Sequence, residues 1–179
     1  YRKNYSLSFE QFSEYIAKHK SSDNLSLEEA YFFQAACAYE MMNNDTDKLL
    51  SDFISNFAEN HRTNDAKFLL ANHFVRNQAF EKAADIYNQI DIKTLPQNKK
   101  YEYYYKSGHC QFMLKDYDKA KQSFMNVKDA RSNFAVAATY FYGHILYEEK
   151  EYNKALKEFL SLKNEKNFGK IVPYYIAQI

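Results

Sequence analysis

The sequence predicts an all-α fold of stacked antiparallel helix pairs, and three observations carry that expectation. Turn formers are scarce, with 3 Gly and 2 Pro in 179 residues against 17 Tyr and 15 Phe, which leaves little chain for loops. Apolar residues recur at helical spacing along most of the chain. A block of sequence also repeats: GHCQFMLKDYDKAKQSFMNV at 108–127 returns as GHILYEEKEYNKALKEFLSL at 143–162, with Gly, His, Tyr, Lys, Ala and Phe in register at an offset of 35 residues.

The repeat orders the elements. Residues 5–19, YSLSFEQFSEYIAKH, read as the second half of a unit. Helices over about 26–43 and 46–59 form a degenerate unit that keeps apolar spacing through Leu50, Ile54 and Phe57 but carries leucine where the other units carry alanine. Helices over 63–77 and 80–91 form a fairer copy, with Ala71 for the glycine, Phe80 for the tyrosine, then Ala83 and Tyr87. The insertion KTLPQN at 93–98 lengthens the next junction. Two good copies follow, at 98–115 with 117–128 and at 132–149 with 152–163. VPYYIAQI at 172–179 opens a further unit. Residues 1–179 are therefore expected to be a single array cut from a longer protein: a half unit at 5–19, repeats at 26–59, 63–91, 98–128 and 132–163, and the start of another at 172–179.

Each recurring residue has a physical reason. Mid-helix glycine costs about 1 kcal/mol against alanine, so Gly108 and Gly143 predict close approach of two helices. Ala83, Ala120 and Ala155 offer a small surface on the second helix, where a larger side chain would overpack. Tyr117, Tyr152 and Phe80 follow the short turns LKD, EKE and NQA, where a ring can fill the wedge between paired helices. Phe124, Phe159 and Tyr87 come one turn after each alanine and pack on the same face. Pro96 and Pro173 lie between units and mark helix boundaries.

This pattern resembles the tetratricopeptide repeat, on Tyr104, Gly108, Tyr117, Ala120 and Phe124 in one unit and Gly143, Tyr152, Ala155 and Phe159 in the next. Gln111 and Leu146 depart from it, standing where the family has Tyr. The resemblance implies a right-handed α-α superhelix whose first helices line a concave groove. Carried onto this chain, the groove has three rows: Ala35, Phe68, Tyr105 and Tyr140; Tyr39, Asn72, His109 and His144; Met42, Val75, Phe112 and Tyr147. The binding residues expected there are Phe68, Asn72, Tyr105, His109, Phe112, Tyr140, His144 and Tyr147, whose rings and polar groups suit an extended peptide or a partner helix. The competing reading is that some rings, Tyr105 and Tyr140 above all, pack against the adjacent unit. Family members that clamp a C-terminal carboxylate need a basic residue where Phe68 stands, so no such clamp is expected. YFYGHILYEEKEYNKALKEFLSL and the run KHKSSDNLSLEEAYFFQAACAYE also resemble large bacterial cell-envelope proteins built of these repeats, which implies an envelope or periplasmic scaffold.

Charge excludes other classes. Lys plus Arg (24) nearly balances Asp plus Glu (23), and no basic face carries exposed aromatics, which argues against nucleic acid. The longest apolar run, 134–147, is too short to span a bilayer and contains Gly143 and His144. Cys37 and Cys110 sit in apolar helical pattern as packing thiols. There is no phosphate loop, nucleophile elbow or paired-acid motif, and the histidines lack metal-ligand spacing, so neither enzyme, metal nor cofactor is expected. The function read from the sequence is a non-catalytic interaction scaffold for a protein or peptide partner. The rivals are a purely architectural spacer and an accessory domain of an enzyme or sensor. Self-association through the open ends is a further expectation.

Overall fold

The computed structural model describes residues 2–19 and 25–179 of the chain. It is built of α-helices joined by short turns, with no strand among the described residues. Two compact units follow one another, Tyr1–Asp91 and Ile92–Ile179, and the boundary falls at the lengthened junction after Ile90.

The first unit contains α1 (Arg2–His19), α2 (Leu25–Met41), α3 (Thr46–Asn56), α4 (Thr63–Arg76) and α5 (Phe80–Asn88). The second contains a 3-10 turn at Ile92–Thr94, then α6 (Gln97–Met113), α7 (Tyr117–Met125), α8 (Ala135–Glu148), α9 (Tyr152–Ser161), a 3-10 turn at Lys166–Phe168, and α10 (Val172–Gln178). Within each unit every helix packs on the next in chain order, the arrangement of stacked helix hairpins. Pro96, at φ −64° and ψ 154°, caps α6, and Pro173 lies in the first turn of α10, so both mark boundaries.

The paired helices meet where the glycines allow it. A Cβ on Gly108 would lie 2.9 Å from Ser123 Cβ and 3.0 Å from the Phe124 ring, and one on Gly143 3.2 Å from Glu158 Cβ and from the Phe159 ring. The close approach is real, and its nearest atoms belong to those residues rather than to the repeated alanines. Ala83, Ala120 and Ala155 are wholly buried, as are Phe124 and Phe159. Tyr152 is 44% exposed, so its ring caps the rim of the wedge instead of filling it.

The four turns that join α2 to α3, α4 to α5, α6 to α7 and α8 to α9 share a feature that the sequence hides. Met42, Gln78, Lys115 and Lys150 all take positive φ, between 57° and 63°. Each turn closes with the same pair of backbone bonds: Asn43 N–H to Ala38 O and Met42 N–H to Tyr39 O in the first, Glu151 N–H to Leu146 O and Lys150 N–H to Tyr147 O in the last. This is a left-handed helix C-cap built without glycine, and it ends α2 at Met41 rather than 43.

These turns also correct the register of the first repeat. Aligning the left-handed residues pairs Phe32, not Ala35, with Phe68, Tyr105 and Tyr140, and Tyr39, not Met42, with Val75, Phe112 and Tyr147. Ring contacts agree: Phe32–Phe53 at 5.6 Å matches Phe68–Tyr87 at 6.2 Å, Tyr105–Phe124 at 6.3 Å and Tyr140–Phe159 at 6.3 Å. The ring of α3 that fills the pair is therefore Phe53, 2% exposed, and not Ile54. Helix α3 starts four residues after Met42, whereas α5, α7 and α9 start two after their left-handed residue; this longer turn shifted the apparent alignment.

Candidate functional site

Two of the residues expected in the groove are interior. Phe68 is 4% exposed and meets Tyr87 edge-on; Asn72 is 5% exposed, and its Oδ1 accepts a 2.6 Å hydrogen bond from the Tyr87 hydroxyl. Both face the seam between α4 and α5, because the helix turns that would present them outward are filled by the partner helix. The sequence reading of these two as groove residues does not hold.

The other six stand together in the second unit as a half-buried aromatic wall on α6 and α8. Tyr105 stacks on Phe134 at 5.3 Å and reaches Phe124 and Phe141. His109 meets Phe141 edge-on at 5.3 Å. Phe112 contacts Phe141 at 5.0 Å and His144 at 5.4 Å. Tyr140 stacks on Phe168 at 4.8 Å, and His144 and Tyr147 meet Tyr175 of α10 at 5.5 and 5.1 Å. The Tyr147 hydroxyl donates to Gln178 Oε1 at 2.9 Å, and Gln178 Nε2 donates to the Tyr174 hydroxyl. Tyr105 and Tyr140 each pack on a neighbouring ring and still keep part of their surface open.

Phe141 is the ring that sequence reasoning missed. It touches Tyr105, His109, Phe112, Phe124 and Tyr140, joining α6, α7 and α8. Its signal was its place one residue beyond Tyr140, on the side of α8 that faces the preceding pair. Tyr175 plays the same part from α10, stacked on Phe159 at 4.9 Å.

The wall is electrically quiet. Burial holds both His109 and His144 below the ordinary imidazole value, Glu148 pulling His144 weakly the other way. Burial raises Tyr105 and pushes Tyr140 up to about 12, so both stay protonated phenols. The Cys110 thiol beside this row is wholly buried and pushed up to about 12, a packing group with no nucleophilic character at neutral pH. Among the described residues no cluster of three His, Cys, Asp or Glu could hold a metal ion. What the wall offers is apolar ring area with a few neutral hydrogen-bonding groups.

Several hollows lie in the first unit. One of about 680 Å³ opens between α1 and α2, lined mainly by Phe12, Tyr15, Leu25, Ala30 and Phe33. Another of about 510 Å³ is polar, with Asn43, Asp47, His73, Arg76 and Asn77. Arg76 already serves the fold there: Nη1 donates to Tyr39 O at 3.0 Å and the guanidinium lies 3.9 Å from the Tyr39 ring centroid, closing the C-terminus of α2.

These features define a class, a tetratricopeptide-like helical-repeat fold. Solved structures of that class are similar to it: the apo form of RapI, at 17% identity over 90% of this chain with a TM-score of 0.72, and a Rap protein complexed with competence and sporulation factor, at 19% identity over 99% of this chain with a TM-score of 0.55. The chain spans about half the length of these neighbours, 49% and 53%. Its sequence matches no protein-family model and no curated protein. No helix among the described residues is long and apolar enough to cross a membrane.

Proposed function

We propose that the chain is a non-catalytic interaction module, whose wall of Tyr105, His109, Phe112, Tyr140, His144 and Tyr147 takes an extended peptide or a partner helix. The observation that carries this is the state of those six side chains: packed by neighbouring rings into fixed positions and each partly open, with burial holding both histidines below the ordinary imidazole value. Rings held in place lose little freedom on binding, and phenol and imidazole groups can meet a peptide backbone. A fold shared with a Rap protein complexed with competence and sporulation factor supports the reading. We place the module within a larger repeat protein, and the sequence resemblance favours one of the cell envelope.

A purely architectural role is the second reading, favoured by the contacts that Phe141 and Tyr175 make across successive helices. Affinity capture with full-length protein separates the two. Phe112→Ala with Tyr147→Ala, checked to melt cooperatively, is expected to lose the captured partner; equal recovery from wild type and variant favours the architectural role.

A further inference from the structure

Among the described residues, His144 Nδ1 is the one buried side-chain nitrogen or oxygen without a hydrogen-bond partner. The ring lies between Phe112 of α6 at 5.4 Å, Tyr175 of α10 at 5.5 Å and Tyr140 of its own helix at 6.2 Å, with both inter-helix contacts edge-on. The reason it is unpartnered is visible in the α4–α5 pair. There the equivalent residue, Asn72, receives the Tyr87 hydroxyl, but the α9 counterpart of Tyr87 is Phe159, which has none.

A neutral ring tolerates this place, because an unused lone pair behaves much like a ring carbon. A charged ring is disfavoured, because it must carry an N–H donor at the buried Nδ1, where the residue's own backbone gives only partial compensation for the cost of burial. The groups around it give little help. From α6 comes Phe112, which does not titrate; from α10, Tyr175, a phenol that burial keeps protonated; from α8 itself, Tyr140, also protonated, and Glu148, the one carboxylate whose charge favours a charged His144. Attraction of an imidazolium to ring faces would act in the same direction as Glu148, opposing the burial cost.

We propose that His144 is an acid-sensitive latch: a second proton on its ring, taken from solvent, loosens α10 from α8 and α9. The linkage has a definite sign. A histidine held below its ordinary value in the folded chain binds fewer protons than in the unfolded chain. The stability it protects is therefore complete above about pH 6.5 and declines as pH falls through that value, levelling once the folded-state ring has also protonated. Tyr175, which meets His144, Tyr147 and Phe159, is the contact through which α10 is lost first.

The proposal needs no partner for its test and stands or falls apart from the binding reading. In the full chain, the His144 ring-proton NMR titration is expected to have its midpoint below about 6.5. Amide protection in α10, corrected for intrinsic exchange, is expected to fall about threefold or more relative to α7 between about pH 7.5 and pH 5.5. His144→Phe should abolish that α10-specific loss while leaving the background from His73 and His109 in place. A midpoint at or above 6.5, unchanged α10 protection, or an equal loss in the variant would overturn the latch. Should the variant fail to fold, the wild-type titration and the α10-to-α7 ratio decide alone.

Discussion

The α4–α5 pair and the α8–α9 pair occupy equivalent places in the repeat and solve one packing problem in two ways. In the first, Ala71 lies at the helix crossing, and Asn72 and Tyr87 satisfy each other in the buried seam. In the second, Gly143 brings the helices close, Phe159 fills the seam without a hydroxyl, and His144 keeps an unpartnered nitrogen beside a half-open ring wall. The lesson is that the amide-hydroxyl pair closes a seam, whereas histidine with phenylalanine leaves it neutral, aromatic and sensitive to a proton.

The largest effect is expected where the closed seam is opened. Asn72→Ala removes the carbonyl that accepts from the Tyr87 hydroxyl and leaves a small void, and should destabilise the chain by about 2–3 kcal/mol, read by chemical denaturation. A double-mutant cycle with Tyr87→Phe should recover part of that loss. Additive losses would mean that the bond contributes nothing beyond the separate side chains.

The two glycines come next, and here the pairs of the second unit differ from each other. Gly108→Ala places a methyl 2.9 Å from Ser123 Cβ and 3.0 Å from the Phe124 ring, inside any ordinary contact. The overpacking should exceed the gain in helix propensity and cost about 1–2 kcal/mol. Gly143→Ala meets Glu158 Cβ and the Phe159 ring at 3.2 Å, where α8 and α9 need part by only a few tenths of an ångström, so its melting temperature should move much less. Equal losses would show that the α8–α9 pair is as rigid as α6–α7.

How far this was legible follows the chemistry of each position. The helix pairs, the buried alanines and the glycine crossings were readable because each depends on residue type at a fixed spacing. Phe68 and Asn72 were misplaced because a repeat position does not say whether its pair is sealed; that depends on Tyr87 against Phe124 and Phe159, a single hydroxyl fifteen residues away from Asn72. The register of the first repeat failed for another reason. Its longer turn at Asn43–Asp45 carries no glycine, and the left-handed residue that would have anchored the alignment is Met42. Phe141 escaped because an aromatic beside an aromatic leaves no contrast in the pattern.

Phe159→Tyr converts one seam into the other. Tyr87 shows that a hydroxyl at this place reaches the δ position of the facing residue, and His144 Nδ1 is there to accept it. The substitution should stabilise the chain by about 0.5–1.5 kcal/mol at pH 8. A loss of similar or greater size would show that the histidine ring sits off the axis that Asn72 occupies. The same variant should make the chain more acid-labile, since a bond to the lone pair holds the ring neutral more firmly.

The smallest effect tests what the pairs have in common. Lys150 holds φ 63° at the turn into α9, a conformation that costs a side chain with a Cβ about 1 kcal/mol or more and glycine almost nothing. Against this, glycine at the same place makes the unfolded chain more flexible, which removes part of the gain. The backbone bonds from Lys150 to Tyr147 O and from Glu151 to Leu146 O do not involve the side chain, so they survive the change. Lys150→Gly should therefore raise stability by about 0.5 kcal/mol, and Gln78→Gly in the first unit by the same amount, because the two turns are closed by the same bonds. Unequal shifts would mean that one of the turns is held by its side chain, and that the likeness between the units stops short of the caps.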